Sequence, residues 1–112
     1  MGLLDKILGA AFNAMKNAAY QVKPMPEEYN VFEIFNGELY SGYETKTSNY
    51  RRYTMDFRNV SQQDVNNYIS ILNQNGYTKG SEVRYDKDNR YIIVEYKETM
   101  NELHLVFHIK NY

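Results

Sequence analysis

Two hydrophobic periods run along this chain, and the switches between them mark its elements. From residue 3 to residue 22 the apolar positions recur every three to four residues. Leu4, Ile7, Leu8, Ala11, Phe12, Ala14, Met15, Ala18, Ala19 and Val22 fall on one side, with Asp5, Lys6, Asn13, Lys16, Asn17 and Gln21 opposite. That spacing predicts an amphipathic helix over 3–22. Pro24 and Pro26 end it, because the residue before a proline avoids helical backbone and Pro-x-Pro favours an extended segment. The chain therefore divides into a helix at 1–23 and a single domain at 24–112.

Beyond the prolines the period shortens to two. Val31–Phe35, Asn36-Gly37 and Glu38–Tyr40 read as a hairpin around an Asn-Gly turn. A rival reading makes 26–36 a short helix, with Pro26, Glu27 and Glu28 at its start and Gly37 past its end. Residues 50–59 alternate, Tyr53, Met55 and Phe57 against Arg52, Thr54, Asp56 and Arg58, as a strand with one buried face does. Residues 61–75 read as a second helix. Ser61 and Asp64 form a capping box, Val60 and Val65 a hydrophobic staple, and Gly76-Tyr77 a Schellman ending. Strands at 81–85, 90–97 and 102–110 follow, joined by turns at 86–89 and 98–101. The order predicts an α+β fold: an antiparallel sheet of four or five strands ending in a three-stranded meander, with the capped helix on one face.

The predicted registers sort side chains by face. Lys97 faces Glu102, Glu95 faces His104, Ile93 faces Val106, Tyr91 faces His108, and Arg84 faces Tyr91. One face then holds Glu82, Arg84, Tyr91, Glu95, His104 and His108, and the other holds Val83, Ile92, Val94, Tyr96, Leu103, Leu105, Phe107 and Ile109. A second polar-aromatic group, Tyr40, Tyr43, Tyr50, Arg51 and Arg52, flanks a loop at 44–49.

Pro24-x-Pro26, the tyrosine-bearing strand ending in Asn59-Val60, and Asp64, Tyr68 and Leu72 ahead of Gly76-Tyr77 carry a resemblance. The run from Pro24 to about residue 110 resembles a domain of unknown function in small bacterial secreted proteins and lipoproteins. The resemblance implies no activity and no catalytic residues. The chain departs from it by lacking an export signal and a lipid-attachment cysteine.

Composition narrows the chemistry. The chain has 112 residues, 12 tyrosines, 7 leucines, 13 asparagines, no cysteine and no tryptophan, with a net charge of -1. Tyrosine outnumbering leucine is unusual, although A/T-rich codons raise tyrosine and asparagine together without selection for function. Without cysteine there is no disulfide framework, thiolate metal site or cysteine nucleophile. The near-neutral charge argues against a nucleic-acid partner. No span is long and apolar enough to cross a membrane, and nothing reads as a signal peptide or lipobox, so a cytoplasmic location is expected. No metal or cofactor motif is present. His104 and His108, four residues apart on a strand, lie about 13 Å from each other and cannot share an ion. Solvent-face histidines are the plain expectation for both.

What remains is a binding surface. The candidate residues are Arg84, Tyr91, Glu95, His104, His108, Tyr40, Tyr43, Tyr50 and Arg52, since tyrosine and arginine recur at interface hot spots. The expected function is a non-enzymatic interaction module that engages a protein partner or a second copy. The contact would be the tyrosine-rich face or residues 3–22, the latter giving a homodimer. The alternatives are a small-ligand site or enzyme using Glu95, His104 and Arg84, and peripheral membrane attachment through the first helix.

Overall fold

In the computed structural model, which describes residues 21–110, the fold is α+β. Seven strands form one sheet: β1 (Gln21–Val22), β2 (Glu38–Lys46), β3 (Tyr50–Arg58), β4 (Thr78–Lys79), β5 (Arg84–Lys87), β6 (Arg90–Lys97) and β7 (Glu102–Lys110). Their order is β1-β2-β3-β7-β6-β5-β4. All neighbours are antiparallel except β1 and β2. Among the described residues one α-helix, α1 (Gln62–Gln74), packs on one face.

α1 forms where its local chemistry dictates. The Ser61 hydroxyl accepts from the Asp64 N–H, and the Asp64 carboxylate accepts from the Ser61 N–H, so two donors left over at the helix start are satisfied. At the other end Tyr77 N–H donates to Leu72 O at 3.0 Å and Gly76 N–H to Asn73 O at 3.2 Å. Gly76 has φ 91°, the left-handed value a Schellman ending requires. Val65, Tyr68 and Leu72 face the sheet. They meet Tyr53, Met55, Phe57, Leu103, Leu105, Phe107, Ile92 and Val94 in one core, with Tyr96 and Ile109 half-buried at its margin.

The expected strand at 31–35 is a 3-10 turn, Glu27–Val31, followed by irregular chain. Pro26 sits just outside the turn, its carbonyl accepting from the Tyr29 N–H. The aromatic side chains decide the outcome. Tyr29 and Phe32 are buried, and Phe32 stacks on Phe107 at 4.5 Å, so the segment straps over the core instead of pairing at an edge. The hairpin falls between β2 and β3, where Lys46 pairs with Arg51 and Thr47 caps the turn, and Asn36-Gly37 is not its turn.

Residues 3–20 of the expected N-terminal helix lie outside the described residues, as do the self-association and membrane roles assigned to it. Its last two positions are corrected: Gln21 and Val22 form β1, parallel to β2, so the sheet begins ahead of Pro24. Lys23 N–H continues the pairing to Gly42 O at 2.8 Å, and the Tyr53 hydroxyl donates to Lys23 O. Gly42 is needed here, because a Cβ would stand 2.5 Å from that hydroxyl.

Two further expectations change. The strand count rises from four or five to seven. The meander acquires β4, and its next strand runs 84–87 instead of 81–85. The turn after it is only Asp88-Asn89, with Asp88 at φ 57°. Asp tolerates that left-handed backbone, so a two-residue turn replaces the expected four-residue one.

Candidate functional site on the second face of the sheet

The helix and the 3-10 strap share one face of the sheet, and the candidate residues collect on the other. Strand registers lay them out in rows. One row runs Ser41, Asp56, His104, Glu95 across β2, β3, β7 and β6. The next runs Tyr43, Thr54, Val106, Ile93, Arg84, and the third Thr45, Arg52, His108, Tyr91, Asp86. The β6–β7 register is the expected one at all four positions: Tyr91–His108, Ile93–Val106, Glu95–His104 and Lys97–Glu102. The β5–β6 register is not. Arg84 pairs with Ile93, and Asp86 takes the place opposite Tyr91. The slip is two residues, so Arg84 keeps its face.

The third row carries an aromatic stack. The His108 ring lies 4.9 Å from Tyr50 and 4.2 Å from Tyr91, nearly parallel to each. Cations close both ends. Arg52 sits over Tyr50 at 5.1 Å, and Arg84 and Lys110 sit over Tyr91 at 5.0 and 5.7 Å. Such contacts contribute about 0.5–1 kcal/mol each where solvent reaches them. His108 is not the solvent-facing histidine expected. Only 8% of it is exposed, because two tyrosine rings cover its faces, and its buried Nδ1 has no partner. Burial first, then the charges of Arg52, Lys110 and Arg84, hold its pKa below the ordinary histidine value. The ring is neutral at neutral pH.

His104 pairs differently from expectation. It stands opposite Glu95 in register, yet its Nδ1 lies 2.7 Å from the Asp56 carboxylate across the β3–β7 pair. Beside a carboxylate that nitrogen carries the proton and donates it. Asp56 was legible as a wet-face residue of β3, but not as the partner of His104, because the β3–β7 pairing is non-local. Asp86 and Lys110 were missed for the same kind of reason. Asp86 fell in the expected turn, yet it accepts from Arg84 Nε at 3.2 Å and lies 3.8 Å from Lys110 Nζ.

The second expected group does not stay together. Tyr50 and Arg52 join the His108 stack. Tyr43, on β2, is 47% exposed. Tyr40 sits at a bulge between Leu39 and Ser41, where its hydroxyl donates to Glu102 at 3.0 Å beside Arg58. Arg51 points to the core side. It binds Glu44 at 2.6 Å and Glu28 at 3.2 Å, and Tyr29 donates to the same Glu44. That network clamps the 3-10 strap to the sheet.

Among the described residues, no cluster of three or more His, Asp or Glu is placed to hold a metal, and no helix is long and apolar enough to cross a membrane. Comparison with family models, with curated proteins and with solved structures gives no match.

Proposed function

We propose that the protein is a non-enzymatic interaction module that engages a protein partner through the second face of its sheet. The observation that carries this reading is the Tyr50–His108–Tyr91 stack with Arg52, Arg84 and Lys110 at its ends. A rigid aromatic surface flanked by guanidinium groups gives large contact area at little cost in side-chain entropy. Arg52 supports it further. Among the described residues it has no carboxylate within ion-pairing distance, so its guanidinium N–H groups are left for a partner.

A photo-crosslinking side chain at Tyr43 tests the reading in the protein's own cells. A matched probe at Ile71, exposed on α1, is the control. Adducts to protein from position 43 and none from 71 are expected. Equal adduct patterns from the two positions, or none from 43, overturn it.

A second reading draws on the 2.7 Å Asp56–His104 contact. An oriented imidazole with Glu95 opposite it in register, on the face that also carries Arg84, has the means for acid–base work on a small ligand. A fragment screen followed by amide chemical shifts checks it. Shifts clustered at Glu95, His104 and Arg84 support this reading, and shifts elsewhere or none remove it.

A further inference from the structure

Asn-Gly occurs twice in the chain, at Asn36-Gly37 and at Asn75-Gly76. The pair is reactive as well as turn-forming. Glycine puts no side chain in the way, so its backbone nitrogen can approach the side-chain carbonyl carbon of the asparagine before it. All four residues are exposed, so solvent access does not separate the two pairs.

Hydrogen bonding separates them. At the end of α1 every reacting group is held. The Asn75 side-chain amide donates to Ile71 O at 2.7 Å, and the Gly76 N–H donates to Asn73 O at 3.2 Å. Lys87 Nζ donates to Asn75 O at 2.6 Å. The nucleophile keeps its proton, and the carbon it would attack is turned away. Asn36-Gly37 lies in irregular chain ahead of β2. Neither residue has a positive φ, so the pair is not the type I′ turn its composition suggests. Among the described residues nothing accepts from the Gly37 N–H, and nothing binds the Asn36 side chain. Glycine is nevertheless required at 37, because a Cβ there would run into the Phe35 ring. The packing that excludes larger residues therefore keeps the reactive pair in place.

We propose that Asn36 is a site of spontaneous deamidation in the folded protein, and that its iso-linked product loosens the strap. The Gly37 nitrogen loses its proton to base and forms a bond to Asn36 Cγ. The Cγ–Nδ2 bond breaks, and Nδ2 leaves as ammonia with a proton from water. Water then opens the resulting succinimide at either carbonyl. Attack at Cγ gives aspartate at 36 in the ordinary chain. Attack at the backbone carbonyl carbon leaves the chain running through Cγ, with the former backbone carbonyl as a free carboxylate. The ordinary product changes charge alone. The iso-linked product inserts an extra backbone atom between Phe35 and Leu39, both of them buried. Phe35 is where the strap meets the sheet and α1 together, with its ring 5.0 Å from Phe57 and 5.6 Å from Tyr68. Close-packed rings leave no slack to absorb that atom.

Peptide mapping by mass spectrometry, on the full chain aged in mildly alkaline buffer, tests both parts. In the folded chain Asn36 converts about tenfold or more faster than Asn75, the factor that about 1.4 kcal/mol of local opening at the helix end imposes. The Asn36 peptide yields two isomeric products, as a succinimide requires. In concentrated urea the two sites convert at similar rates. Equal rates in the folded chain, a faster Asn75, or a single aspartyl product at 36 overturns the site. A contrast that persists in urea overturns its structural cause. The converted fraction, collected by ion exchange, is then compared with Asn36→Asp, which carries the same charge on an ordinary backbone. A lower urea midpoint for the converted fraction is expected, and equal midpoints overturn the loosened strap. Asn36→Gln, whose longer side chain closes the ring poorly, is expected to age without that loss. A loss that persists in it assigns the damage elsewhere and overturns the proposal.

Discussion

His108 shows how much one side chain's surroundings change its chemistry. Read from its position on an alternating strand, it is a wet-face histidine. In place, it is stacked between Tyr50 and Tyr91, with Arg52, Arg84, Lys110 and Asp86 the charged groups around it. Its pKa lies below the ordinary value, chiefly from burial. The unfolded chain takes up a proton near pH 6.5 while the folded chain still resists, so the unfolded state is the greater proton binder there. His108 therefore costs stability as pH falls below about 6.5, and the loss levels off once pH passes below the folded pKa. Replacing His108 with Phe keeps a stacking ring and removes the titration. The variant's stability relative to wild type is expected to rise between about pH 7 and pH 5, read from urea midpoints at each pH. Parallel curves for the two proteins would show that His108 titrates alike in both states.

At the level of single elements, legibility follows locality. α1 was readable to its caps because every signal for it lies within eighteen residues, 60–77, and all agree. Its ends are correspondingly testable. Ser61→Ala removes the acceptor for the Asp64 N–H and is expected to cost about 1 kcal/mol. Gly76→Ala meets no atom closer than 3.6 Å, so its cost is the backbone strain of φ 91° alone, about 1–2 kcal/mol. Denaturant midpoints check both, and a neutral Gly76→Ala would mean that the ending rearranges at no cost. β5 was misread because its turn was ambiguous. Asp86-Lys87-Asp88-Asn89 has the composition of a four-residue loop, yet only Asp88-Asn89 turns. The error moved the register by two, which spares the face, so the grouping of Arg84 with Tyr91 and His108 survived. A slip of one would have sent every β5 side chain to the other side. The strap at 26–36 was misread for a different reason. Val31-Phe32-Glu33-Ile34-Phe35 has strand composition, but its rings are spent on covering the sheet.

Across the whole molecule, the pairing that composition and period could not supply is β3 with β7. It joins residues about 50 apart, places β7 at the centre of the sheet, and creates both the Asp56–His104 contact and the aligned Thr54–Val106–Ile93 row. The α+β class was readable, since helix and strand periods each announce themselves, but the strand order was not. The same centre holds the strap. Phe32 and Phe107 stack at 4.5 Å with their planes 7° apart, and Phe107 is fully buried in the strand that carries both halves of the sheet. If the strap folds with the sheet as one unit, this stack couples them. Phe32→Leu and Phe107→Leu are each expected to cost roughly 1–2 kcal/mol. The two together should cost less than the sum by about 0.5–1.5 kcal/mol, because either change alone already breaks the stack. Equilibrium denaturation of the four proteins in the cycle measures that difference. Strict additivity would mean that the strap rests on the sheet through buried area alone. A separate early transition in the Phe32 variant would mean that it unfolds ahead of the sheet, leaving the second face intact without it.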